Sequence, residues 1–457
     1  MIERKSLIAA SVALLLLVAT AEAKDLHVPS KAYRTIKSAV RKARPGDTIF
    51  VHPGFYDEPN ILLRRRGVTI SGDQAVWSGR GERSRTLTIR AKNCQVSGFR
   101  FEDLSVRVRG PRCIVSDNVF TGTSRREVAK VSGNAVQVLR NTLVDVALDN
   151  FNRFSENTAS NRNGPGAELS GDTLEVEDNT FYGTGVGRIV VVLIEGDFAI
   201  VQSNLIDDCR VVNSTVDGIR VNGSDNIVRR CSSEGGSDEG IYVHGADSLI
   251  EDVTSTGAGE SALFVSGDRN EVVRATLSGV ARGLHIGGND NTASASSLRA
   301  TDKEGLRIFG SRNVISDCGI GGGTLGAYVQ KDGNELTRCT VTAAGGGVHV
   351  NGSQNRLSDV DIVAGTGPGV VLIGGYLNAF VRCVTRGGTP GFQIDYLAFD
   401  TTLQSCEILD ALNVGLRHDG LRTTVIDCTI RGSAVVDVSN SGTFTLVENN
   451  VFDTGGF

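Results

Sequence analysis

The chain has 457 residues, 40% of them hydrophobic and 22% charged, enough apolar side chains for a large core, so wholesale disorder is excluded. Its 56 glycines come with only 8 prolines and no strict three-residue period, which excludes collagen. A formal net charge of -5 leaves no basic surplus for gripping phosphates, so no nucleic-acid partner is expected.

The amino terminus sets the expected compartment. Arg4 and Lys5 precede an apolar run from Leu7 to Ala19, and Ala21-Glu22-Ala23 places small residues at both cleavage positions. This is the pattern of a secretory signal over residues 1–23, with an apolar run too short to span a bilayer comfortably. The expectation is a mature chain from Lys24, secreted or periplasmic, with no integral membrane segment and with one domain over residues 24–457.

Residues 24–60 read as an amino-terminal cap on that domain. From Tyr33 to Ala43, Ile36, Ala39, Val40 and Ala43 share one helical face, and Pro45-Gly46-Asp47 then turns the chain into a strand at Thr48 to Val51. Beyond the cap a polar-Asn-x-apolar phrase recurs at irregular steps, as at Asp117-Asn118-Val119-Phe120, Arg140-Asn141-Thr142-Leu143 and Asp178-Asn179-Thr180-Phe181. Excursions between these phrases, such as Asn161 to Gly166, read as projecting loops.

From Gly218 the repeat is regular. Gly218-Ile219-Arg220-Val221, Gly240-Ile241-Tyr242-Val243, Ala262-Leu263-Phe264-Val265, Gly283-Leu284-His285-Ile286 and Gly305-Leu306-Arg307-Ile308 share one phrase. Gly326, Gly347, Gly369, Gly391 and Gly415 open the next ones, at steps of 21 to 24 residues. That period, with apolar residues at every second position, predicts a solenoid of short strands. A column of Asn226, Asn270, Asn291, Asn313, Asn334, Asn355 and Asn378 keeps the same register and reads as a ladder of stacked side chains. The nine cysteines keep it too, Cys383, Cys406 and Cys428 most plainly, and read as small buried residues rather than metal ligands.

The stretch Thr35-Ile36-Lys37-Ser38-Ala39-Val40-Arg41-Lys42-Ala43-Arg44-Pro45-Gly46-Asp47-Thr48-Ile49, followed by Pro53-Gly54-Phe55-Tyr56, resembles the amino-terminal signature of the pectin-lyase-like superfamily. The resemblance implies an all-β, right-handed parallel β-helix of coils of about 22 residues behind a short capping helix. It implies no single activity, because that superfamily includes polysaccharide lyases, hydrolases, esterases, alginate epimerases, phage adhesins and non-catalytic proteins.

On the repeated strand the residues between the inward ones form an outward column. It reads Arg220, Tyr242, Phe264, His285, Arg307, Tyr328, His349, Val371, Gln393 and Arg417. Aromatic rings can stack on sugars and guanidinium groups can grip carboxylates, so an acidic, uronic-acid polysaccharide or another glycan is the expected partner. Arg220, Tyr242, His285, Tyr328 and His349 are the expected substrate contacts. The same column is equally readable as strand side chains packing on their neighbours.

Acids precede the strands: Asp217, then Asp238 and Glu239 one coil on, then Glu260 and Glu304. Carboxylates one coil apart can split their pKa values for acid and base work. Asp217, Asp238, Glu239 and Arg307 are therefore the expected catalytic residues of a lyase or epimerase. The three acids are also potential oxygen ligands of Ca²⁺, although no metal ligand is assigned. Their spacing resembles the polygalacturonase layout, a third reading, but Glu260-Ser261-Ala262 stands where that layout has Gly-His-Gly. A non-catalytic glycan- or envelope-binding or structural solenoid is the alternative of a different class.

Overall fold

The computed structural model describes residues 22–453 apart from 59, 79–85, 122–128, 132–134, 145, 150–152, 161–166, 171–174, 183–191, 196–204 and 215. The expected signal up to residue 21 and the expected loop Asn161 to Gly166 lie outside the described residues.

The chain winds into a right-handed parallel β-solenoid of about 16 turns. A representative coil runs through the strands Ile219–Asn222, Ile227–Arg229 and Ser232–Gly235 before Ile241–His244 begins the next. Each strand pairs in parallel with its counterpart one coil on: Ile219 with Ile241, Ile227 with Leu249, and Ser232 with Thr254. The alternation of the sequence is what fixes this. Ile219, Val221, Ile241, Val243, Leu263 and Val265 point inward and are fully buried. Each such side chain contributes roughly 1.5–3 kcal/mol on burial, so a one-residue slip of a strand would cost several times that.

Among the described residues the one helix is Ile36–Lys42, whose Ile36, Ala39 and Val40 are buried as the sequence spacing anticipates. Thr35 starts it by accepting from the Ser38 backbone N–H at 3.0 Å, and the Ser38 hydroxyl oxygen accepts in turn from the Thr35 N–H. The Glu58 carboxylate accepts from the Ile36 and Lys37 N–H groups, each at 2.7 Å, and satisfies two more of the donors a helix start leaves free.

Two polar columns mark the turns. In the first, Asn270 donates its backbone N–H to Asn291 Oδ1 at 2.8 Å, Asn291 to Asn313 at 2.9 Å, and Asn313 to Asn334 at 3.0 Å. The double interval between Asn226 and Asn270 is filled by Ser248, which accepts from Asn226 and donates to Asn270. The second column joins two features that look separate in the sequence. Asn118, Asn141, Asn157 and Asn179 bond in series, Asn179 then meets Cys209 at 3.9 Å, and at the far end the Cys428 N–H donates to Asn450 Oδ1 at 2.8 Å. Cys209, Cys231, Cys318, Cys339, Cys383, Cys406 and Cys428 thus occupy the same turn position as the earlier asparagines. All nine cysteines are buried as free thiols.

Candidate functional site

The outward column exists as a line. Arg220 stands opposite Tyr242, Tyr242 opposite Phe264, and so through His285, Arg307, Tyr328 and His349 to Val371, Gln393 and Arg417. Its members stack on one another. The Arg220 guanidinium lies 4.6 Å from the Tyr242 ring centre, Tyr242 is 5.1 Å from Phe264, and Phe264 is 4.3 Å from His285 at an interplanar angle of 9°. Further along, Arg307 sits 4.2 Å from the ring centre of Phe309 and 5.7 Å from that of Tyr328. The ring faces are therefore turned along the solenoid axis and are largely taken by their neighbours.

A second column runs beside the first, at the residue that precedes each opener: Asp217, Glu239, Ser261, Arg282 and Glu304. The two columns are tied within a strand by Arg220 to Asp217 at 3.2 Å and Arg307 to Glu304 at 3.7 Å. Arg282 joins Glu260 at 2.8 Å to Glu304 at 3.3 Å, forming a chain of alternating charge along the face. Arg282 was not anticipated from the sequence, although it has the phase of Glu239 and Glu304; Glu260 stands one position off that phase, which Ser261 occupies.

Asp217, Asp238 and Glu239 do converge. Their ligand atoms all lie within 4.8 Å of one another, the only such cluster among the described residues. Asp217 is buried and accepts from the Glu239 backbone N–H at 3.3 Å as well as from Arg220. Burial, then the Asp217 hydrogen bond and the charges of Asp217, Asp238 and Glu260, push the Glu239 carboxyl up to about 7. Glu239 thus lies beside a buried acid with its carboxyl pushed well above the usual carboxylate range. The donor set is all carboxylate oxygen, which suits a hard cation such as Ca²⁺, though three side chains supply only part of its usual six to eight ligands.

His285 is held neutral. Burial first, then the guanidinium groups of Arg282 and Arg307, lower its pKa to about 3. Burial also lowers that of His349. Arg307 stands four coils from Arg220 along the face, about 19 Å at the usual strand spacing, so it does not share a centre with the three acids.

A third column lies two residues beyond the first, at the outward phase that makes His244 an accessory candidate in the sequence. There His244 Nδ1 bonds Ser266 Oγ at 2.7 Å and Ser266 Oγ meets the Tyr242 hydroxyl at 3.1 Å. The exposed phase of His244 was the available signal; that Ser266 completes a bonded trio is visible only in three dimensions.

The chain matches the family model of the right handed beta helix region over residues 119–277 and 261–452. Similar solved structures include the periplasmic alginate epimerase AlgG, at 9% identity and TM-score 0.28, covering 94% of this chain and 84% of that one. The mannuronan C-5 epimerase AlgE6 A-module of Azotobacter vinelandii is 12% identical at TM-score 0.25, covering 90% and 92%. A mannuronic acid specific polysaccharide family 6 lyase from human gut microbiota is 10% identical at TM-score 0.27, covering 93% and 83%. No curated protein matches the sequence. With well over half of its length matched by the family model, the chain belongs to the right handed beta helix family.

Proposed function

We propose that this face acts on an acidic, uronic-acid polysaccharide, as a lyase or an epimerase. The observation that carries the reading is Glu239, its carboxyl raised to about 7 within a cluster of acids and beside a guanidinium. Both reactions begin by removing the proton at C5 of a uronate, which needs a base that functions near neutral pH and a cation for the charge that develops on the substrate carboxylate. Glu239 takes the proton, burial and then Asp217 raise its pKa, and Arg220 faces the carboxylate. Ca²⁺, if bound by Asp217, Asp238 and Glu239, would supply that positive charge instead, and Glu239 as its ligand would then not serve as the base. Arg307 then holds a carboxylate of another sugar farther along the chain, with Tyr242, His285, Tyr328 and His349 lining the path between and beyond.

The hydrolytic reading is less well supported: Glu260-Ser261-Ala262 stands where the polygalacturonase layout has Gly-His-Gly, and carboxylates within 4.8 Å of one another leave little room for the water of an inverting mechanism. The non-catalytic reading draws on the ring stacking, which occupies faces that would otherwise meet sugars. In either case we place the protein outside the cytoplasm through its signal segment, and we assign the helix Ile36–Lys42 to closing the first coil against solvent.

The test is incubation with pectate, alginate and glycosaminoglycans in D₂O. Formation of unsaturated uronate, read by ultraviolet absorbance, indicates elimination; deuterium at C5 without cleavage indicates epimerisation. Glu239→Gln should abolish either signal. Wild-type protein giving neither on any of the polymers, while still binding them, would leave the non-catalytic reading in its place.

A further inference from the structure

Over the five coils from His244 to Gln330 the third column carries one gap. The residues that follow the in-register Val243, Val265, Ile286, Ile308 and Val329 are His244, Ser266, Gly287, Phe309 and Gln330. Only Gly287 lacks a side chain, and it is exposed. Its backbone is not in the left-handed region, so conformation does not demand glycine there. Nor does backbone crowding: a Cβ at Gly287 would meet first the edge of the Phe264 ring, at 3.1 Å, whereas at the adjacent Gly288 it would lie 1.9 Å from a backbone oxygen. A side chain at Gly287 would press on that ring edge, closer than such contacts normally run, so the glycine keeps the Phe264 edge uncovered.

The flanking groups give that space a chemistry. Ser266 on one side is bonded to His244 at 2.7 Å and to the Tyr242 hydroxyl at 3.1 Å, a wall of hydroxyl and imidazole groups. Phe309 on the other side stands edge-on to His285 at 66° and carries the Arg307 guanidinium at 4.2 Å. The stacked Phe264 and His285 form the floor. Ser266 and Phe309 are two coils apart, about 9.6 Å at the usual strand spacing, with the uncovered edge of Phe264 between them.

We propose that the notch at Gly287 is a binding subsite for a single uronate ring, with its hydroxyls toward Ser266 and its carboxylate toward Arg307. The subsite rests on the glycan reading above but is separate from the acids, and it makes Gly287 a specificity-determining residue. Polar wall, apolar floor and cation together match a sugar acid, and fit neither a purely apolar nor a purely anionic ligand.

The experiment is calorimetric titration of the full chain with trimers of galacturonate and of mannuronate. Gly287→Leu fills the notch and should lower affinity at least tenfold; Ser266→Ala should lower it several-fold, with the thermal unfolding midpoint of each variant measured alongside. Should Gly287→Leu unfold, Ser266→Ala decides. Unchanged affinity in the folded variants, while Arg307→Ala still loses binding, would overturn the notch and leave the glycan reading standing. Absence of binding by the wild type to both trimers would overturn both.

Discussion

Replacing Glu239 by Gln isolates the electrostatic cost of the acid cluster. The ordinary glutamate value is 4.5, and in the folded chain Glu239 is raised to about 7. Below the lower value both the folded and the unfolded chain hold the proton, and the site costs nothing. Between the two values the unfolded chain has released its proton while the folded chain keeps it, so stability falls as pH rises, and the full cost is present above about pH 7. At full weight that interval corresponds to roughly 3 kcal/mol. The carboxyl is only half-buried, and solvent screening reduces the figure to about 1–2 kcal/mol. Gln has nearly the same shape and its amide donates a hydrogen bond to Asp217 without ionising. The variant should therefore match the wild type near pH 4.5 and exceed it by about 1–2 kcal/mol at pH 8, as read from urea unfolding at each pH. An equal difference at both pH values, or a variant that is less stable at pH 8, would refute the reasoning and mean that Glu239 is ionised in the folded chain.

Arg307→Ala should weaken oligouronate binding by at least about 1.5 kcal/mol, the low end for a charge-assisted contact, and the wild-type affinity should fall with added salt; titration at two ionic strengths checks both. Asn291→Ala removes the acceptor of both the Asn270 backbone N–H and the Asn270 side-chain amide, and should cost about 2–4 kcal/mol in thermal or urea unfolding, with the coils nearest Asn270 most affected. His285 should stay neutral across the range in which free histidine titrates, and Arg307→Gln should raise its NMR midpoint while leaving it below 6.5, because burial is its first cause. The nine buried thiols should resist alkylation in the folded protein and react on unfolding, as mass spectrometry would show.

The solenoid was legible because its determinants are periodic. Inward Ile and Val at alternate positions, and asparagines one coil apart, each define a phase, and the phases agree. What the sequence concealed is that unlike residues can serve one position. Ser248 stands in for an asparagine between Asn226 and Asn270, and Cys209, Cys231, Cys318 and Cys339 continue a column begun by Asn118. Residue identity changes along that column because the turn needs a compact buried side chain; Val253, Ala275 and Val360 hold it without a polar group, and amide, hydroxyl and thiol add a bond where they stand.

The site was less legible, for a reason that lies in side-chain reach. Register places Arg220, Tyr242, Phe264 and His285 in line, and the line is there. It does not say that rings at strand spacing will lie face to face, and it is this stacking that removes most of their faces from any sugar. The column beside it is largely covered too, with the Arg282 and Glu304 side chains only 13% and 15% exposed, so the open groups are Glu260 on one side and, in part, Ser266 and Phe309 on the other. Reading only the central column assigns recognition to the rings. On the reading proposed above, the bonded groups around them and the gap at Gly287 offer a ligand ring edges, hydroxyls and guanidinium groups, which suits a polar, carboxylated chain better than stacked planar faces.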